Sequence, residues 1–167
     1  QACDWSSDVC SSDLISLCPS EDVSFAMPFP TNSRVLRKLT KVLQHPRIGK
    51  IAANMKFEDT WLAVMSDIAV RPWVFDTMQA AHILDNRPGI TGLKFQSYVR
   101  FGVVGYDDEM APYLRSPDSN SPNRLLSIAK EGDAFRKLLL YNGMDSLLTY
   151  RLAMLQKEEL QYDLYRT

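Results

Sequence analysis

Cysteine, histidine and glycine are scarce in this chain: 3, 2 and 7 of 167 residues. So few cysteines exclude a disulfide-stapled scaffold, and so few glycines exclude a collagen-like one. No stretch approaches 18 consecutive apolar residues, so no transmembrane helix is expected. Neither sign of charge dominates. The formal net charge of −1 gives no global basic signal for nucleic acid, although a local patch would suffice for binding. What is present is ordinary globular usage, 46% hydrophobic and 23% charged, which excludes a disordered chain. The length suits one domain with its own core.

The first fourteen residues stand apart. Gln1–Leu14 reads QACDWSSDVCSSDL, with neither helical period nor sustained alternation. It has no basic region followed by an apolar one, so it is not a signal peptide. Asp4 to Leu14 back-translates, codon by codon, into a string that looks like a common sequencing-library adapter. The segment is therefore expected to be a scar and is set aside from fold reasoning. It carries Asp4, Asp8 and Asp13 but no Lys or Arg, so without it the net charge of −1 becomes +2. It also carries Cys3 and Cys10, leaving Cys18 alone. One cysteine makes neither an intrachain disulfide nor a zinc cluster. Cys18 sits in an apolar run and is expected in the core, in a reducing, intracellular compartment.

Residues 15–167 read as one α/β domain with a small mixed sheet, because strands come early and mix with helices. Ile15–Cys18 and Val23–Met27 predict a β-hairpin around Pro19–Asp22. Thr31, Asn32 or Ser33 caps a helix to about Gln44, with Val35, Leu36, Leu39, Val42 and Leu43 on one face. A short strand at Lys50–Ala53 precedes a helix at about Phe57–Ser66, whose buried stripe is Trp61, Leu62 and Met65. Trp73–Phe75 is a further strand. Thr77–Leu84 and Leu93–Phe101 are helices. Residues 105–122 read as a mobile loop with at most one helical turn. Pro122–Lys130 and Ala134 to about Tyr162 are helical.

Two segments carry chemistry. In Asn54-Met55-Lys56-Phe57-Glu58-Asp59 a strand gives way to a helix, near the sheet edge where open α/β sheets place ligands. Glu58 there can hold a hard cation, and Asn54 a sugar or phosphate; an acid in a first helical turn is also favoured by the helix dipole alone. In Tyr141-Asn142-Gly143-Met144-Asp145, the phenol and carboxylate are four apart and share a helix face. Such a pair can position and deprotonate a water beside a metal. It can equally be a plain Tyr–Asp hydrogen bond at a helix surface.

Taken together, these segments resemble the 3′–5′ proofreading exonuclease domain of family A DNA polymerases, in its phage-type form. That domain belongs to the DEDDy group of the DnaQ-like, ribonuclease H-like superfamily. Its motifs run in order: Asp-x-Glu on the first strand, Asn-x-x-x-(Asp/Glu) on a later helix, and Tyr-x-x-x-Asp near the end. Lys50–Leu62 (KIAANMKFEDTWL) is similar to the second, with Glu58 in the carboxylate place, and Tyr141–Asp145 to the third. Trp73–Gln96 (WVFDTMQAAHILDNRPGITGLKFQ) is similar to the stretch between them.

The resemblance implies a ribonuclease H-like mixed sheet flanked by helices. It implies two divalent ions, Mg²⁺ or Mn²⁺, about 3.5–4 Å apart, acting on a single-stranded DNA 3′ end. Asp145 would bind one ion, Glu58 would hold the other partly through water, and Tyr141 would orient the attacking water. Asn54 and Lys56 are the substrate-binding candidates, and a polymerase domain in cis is the implied partner.

The first motif is expected just upstream of Ile15, where the scar stands, so the fold would lack its native first strand and the chain most of its hydrolytic activity. Asp107–Glu109, the Asp-x-Glu inside the loop, reads as solvated charge. Phe95, Tyr98 and Phe101 could stack bases but at this spacing are expected in the core, as are Trp61 and Trp73. Lys38, Lys41, Arg47 and Lys50 read as a solvated face, and His45 and His82 as structural. The competing readings are a non-catalytic support domain of the same fold beside a polymerase, and an RNA-directed exonuclease similar to ribonuclease D.

Overall fold

The computed structural model describes residues 14–114, 128 and 132–161. The adapter-like residues 1–13 and most of the helix expected over 122–130 lie outside the described residues. A seven-residue strand, β1 (Leu14–Ser20), pairs antiparallel with β2 (Val23–Pro28), the register slipping between Leu17 and Ser20. Helix α1 (Ser33–Leu43) follows, capped by the Asn32 side chain, which accepts from the amides of Arg34 and Val35. That satisfies two of the four amides a helix start leaves open. Strand β3 (Lys50–Ala52), helix α2 (Met55–Ser66) and strand β4 (Trp73–Asp76) form a strand–helix–strand unit with β3 and β4 parallel. Its close approach needs Gly49, where a Cβ would sit 2.8 Å from a Val74 methyl. Helices α3 (Thr77–Leu84), α4 (Leu93–Phe101), the single turn α5 (Ala111–Leu114) and the 28-residue α6 (Gly132–Glu159) complete the described elements.

The elements are mixed α and β, as expected, but the four described strands do not join one sheet. They make two separate two-stranded sheets, β1–β2 and β3–β4. What joins the halves is α6, which lies against β1, β2 and β3. The hairpin is covered on both faces. Leu14 packs with Leu138 and Tyr141 of α6, whereas its neighbour Ile15, with Leu17, packs with Leu39, Leu43 and Leu62 of α1 and α2. Successive strand residues point to opposite faces, so helices flank this sheet on both sides. A third cluster sets Ala153 of α6 against Phe75 and Ala80.

Several burial expectations are corrected. Leu39, Leu43 and Leu62 are core, but Val35, Val42 and Met65 are exposed, because α1 and α2 each bury a narrower stripe than their apolar residues span. On α4, Phe95, Tyr98 and Phe101 are exposed rather than core. That helix buries Gln96 and Ser97 instead, with Gln96 donating to the Ile90 carbonyl and accepting from Arg100. Lys50 leaves the solvated face: it is buried, and its ammonium donates to the carbonyls of His45 (2.8 Å) and Arg71 (2.5 Å). Lys38, Lys41 and Arg47 are exposed. No helix among the described residues is long and apolar enough to cross a membrane.

Candidate functional site

Asn54 ends β3 in the left-handed conformation (φ 63°, ψ 57°) and leads into α2 without a side-chain capping bond. A non-glycine residue in that region is uncommon and strained unless its surroundings hold it. Asp76 holds it. Its carboxylate accepts from the amides of Asn54 (3.1 Å) and Met55 (2.8 Å) and also caps α3 through the amides of Met78 (2.9 Å) and Gln79 (3.3 Å). One carboxylate thus serves two helix starts. The Asp76-Thr77 pair before a helical run is the sequence signal for its cap on α3; its second role, across the β3–β4 pair, leaves no such signal.

The two acids of the second segment separate. Asp59 is structural: the Trp73 indole N–H donates to it at 2.9 Å. Trp61 packs edge-on to Phe29, 5.4 Å between ring centres, and both tryptophans line the α1–α2 core as expected. No hydrogen bond or ion pair joins the Glu58 carboxylate to another described residue. Its surface is exposed, yet the surrounding protein raises its carboxyl to about 7 by desolvation. The two facts fit a carboxyl in a concave place, crowded by protein but reachable by water, and that water limits how far the penalty acts. Lys56 is exposed beside it.

The third segment lies within α6. Its buried stripe runs Leu138, Tyr141, Leu148, Leu152 and Gln156, and Asp145 falls on the same stripe. A carboxylate there is costly unless bonded. One bond comes from a tyrosine outside the motif: the Tyr106 hydroxyl donates to Asp145 Oδ1 at 2.7 Å. The alternative of a surface Tyr141–Asp145 pair does not hold, since Tyr141 is only 2% exposed and its ring stacks on Tyr106, centroids 5.8 Å apart. Lys94 Nζ lies 5.7 Å from the Tyr141 ring centre and pairs with Asp107 at 3.0 Å. Lys137 pairs with Glu109 at 3.3 Å. Asp107 and Glu109 are therefore not simply solvated; they tie their loop to α4 and α6.

The other expected residues are structural or peripheral. The Cys18 thiol is free and half-buried, donates to the Ser20 carbonyl and is pushed up by burial. His45 accepts from the Arg47 amide at 3.2 Å, and His82 is exposed.

Hard divalent ions suit carboxylate oxygens. Among the described residues, however, no group of three or more His, Cys, Asp or Glu is arranged to hold an ion. Glu58 and Asp145 stand on α2 and α6, and Asp145 already accepts from Tyr106. Two carboxylates alone carry too little negative charge for two closely spaced divalent ions. No protein-family model matches the sequence, and a search of curated proteins finds no relative.

Proposed function

We propose that this chain is a 3′–5′ exonuclease domain of the ribonuclease H-like kind, acting on single-stranded DNA 3′ ends beside a phage-type polymerase. Asp145 carries the reading: it is a half-buried acid on the face of α6 that buries Tyr141 and Leu148, one turn from Tyr141, where an apolar residue is the default. Two further features support it. Asn54 enters α2 in the left-handed conformation and with no side-chain capping bond, and Glu58 one turn later makes no bond to a described residue. The separation of the strands into two pairs is what a missing central strand would leave. In this reading the chain supplies Glu58, Tyr141 and Asp145, and hydrolysis needs the further carboxylates of an upstream Asp-x-Glu strand. Mg²⁺ or Mn²⁺ belongs to that completed site.

The test is the upstream genomic sequence, followed by an assay of the protein it encodes. With Mn²⁺ and 5′-labelled single-stranded DNA, we expect stepwise shortening from the 3′ end, and a loss of at least about a hundredfold in Glu58→Ala and Asp145→Ala. An intact protein that shortens neither DNA nor RNA would defeat the nuclease reading. It would leave the non-catalytic support domain, which the engagement of Asp145 by Tyr106 favours. Shortening of RNA alone would make it an RNA-directed enzyme.

A further inference from the structure

We propose that the exposed face of α1 formed by Arg34, Arg37, Lys38 and Lys41 is a contact surface for the phosphate backbone of duplex DNA. That the duplex is the double-stranded part of a nuclease substrate rests on the exonuclease reading; the contact itself does not.

The chain is nearly neutral as a whole, but its charge is segregated. Of its 19 Lys and Arg, seven fall within residues 23–57, which hold no Asp or Glu; the other 12 share the remainder with all 20 acids. Lys50 is withdrawn from the seven, being buried on two carbonyls. Arg34, Arg37, Lys38 and Lys41 are exposed. They recur at i, i+3, i+4 and i+7, which places them on one side of the helix. Leu36, Leu39 and Leu43 take the opposite side, in the core with Leu62. No ion pair joins any of the four cations to another described residue. Arg34 moreover stands in a first turn that has no acid, at the end of the helix dipole where a cation is disfavoured. Four uncompensated charges along about 10 Å of helix make a local positive potential that the net charge conceals.

The partner follows from what this face has and lacks. No aromatic ring stands on α1, so it offers no stacking platform for single-stranded bases. Protein interfaces centre on aromatic and apolar anchors, and only Val35 and Val42 lie exposed beside the cations. The leucines of α1 are in the core, which leaves no apolar face to enter a lipid surface. A duplex backbone asks for none of these: Lys and Arg hold it whatever its sequence. Each strand carries a phosphate per about 3.4 Å of axis, so the face lies against about three of them.

The test uses the full 167-residue chain in EDTA and the fluorescence anisotropy of a labelled duplex of random sequence. We expect affinity to fall roughly fiftyfold between about 50 and 200 mM KCl, a logarithmic slope of about −3. Arg37→Gln, Lys38→Gln and Lys41→Gln sit at exposed helical positions that glutamine suits, and each should make the slope shallower by about 1. Lys38→Arg keeps the charge and should leave the slope unchanged. So should Arg136→Gln, which removes an exposed cation of α6, across the hairpin from α1. Absence of duplex binding at the lower salt overturns the proposal, and so does an equal change in Arg136→Gln. Tighter binding to the single strand, to polyglutamate or to phosphatidylserine vesicles at the same salt also overturns it, in favour of that partner. Binding in EDTA involves no hydrolysis, so an intact protein that cuts nothing defeats the nuclease reading and leaves this contact standing.

Discussion

Asp76 gathers more backbone amides than any other described side chain, four across two helix starts. Losing one cap acceptor typically costs about 1 kcal/mol. Asp76→Ala should therefore lower stability by about 2 kcal/mol in urea unfolding, whereas Asp76→Asn, which keeps one acceptor oxygen, should cost less; equal losses would mean that the oxygen the amide keeps contributes nothing. Glu58 carries the pH dependence. Its folded carboxyl is raised from 4.5 to about 7 by desolvation, so the native state favours the protonated form. Stability from this group is fully present below about pH 4.5 and declines as pH rises through 7. In EDTA, Glu58→Gln should thus gain on the wild type between pH 5 and pH 8 in melting temperature. A constant difference across that range would show that Glu58 is not desolvated.

At the level of elements, α6 carries a glycine in its interior where it crosses the hairpin. A Cβ on Gly143 would meet Ser24 Oγ at 3.5 Å and Ala26 Cβ at 3.7 Å, ordinary contacts. Helical alanine is favoured over glycine by about 0.8–1.0 kcal/mol. Gly143→Ala should therefore stabilise the chain by about 0.5–1 kcal/mol in thermal or urea melts. Destabilisation would mean that α6 and β2 sit closer than these distances, or that the Ser24–Ser146 hydroxyl bond, 2.7 Å long, is disturbed. The hairpin, α1, α3 and α4 were legible because each has local punctuation: Asn32 before α1, Asp76 before α3, Gly92 and Gly102 around α4. The exposed face of α4 was not. Phe95 and Tyr98 carry a core residue's chemistry, and their burial depends on what packs against the helix, not on their spacing.

At the scale of the molecule, α6 is the shared wall of both sheets, touching β1, β2 and β3. Leu152 sits on it at 1% exposure. Truncating a buried leucine costs about 2–5 kcal/mol, and Leu152→Ala should do so. Tryptophan fluorescence reports the α1–α2 core that includes Trp61 and Trp73, and far-ultraviolet dichroism reports the helices. Their transitions should move together in the variant. Separate transitions would mean that the two sheets unfold independently.

The hydrophobic periodicities and capping residues sufficed for the order of elements and for the placement of Glu58, Tyr141 and Asp145 at a helix start and on one helix face. Those are short-range consequences of 3.6-residue spacing and of amides seeking acceptors. The pairing of β3 with β4, the second duty of Asp76 and the choice of Tyr106 as partner for Asp145 join residues 21 to 39 positions apart. Contacts at that separation arise only once helices and strands pack, because a donor in one element meets an acceptor in another through the shape of the whole chain.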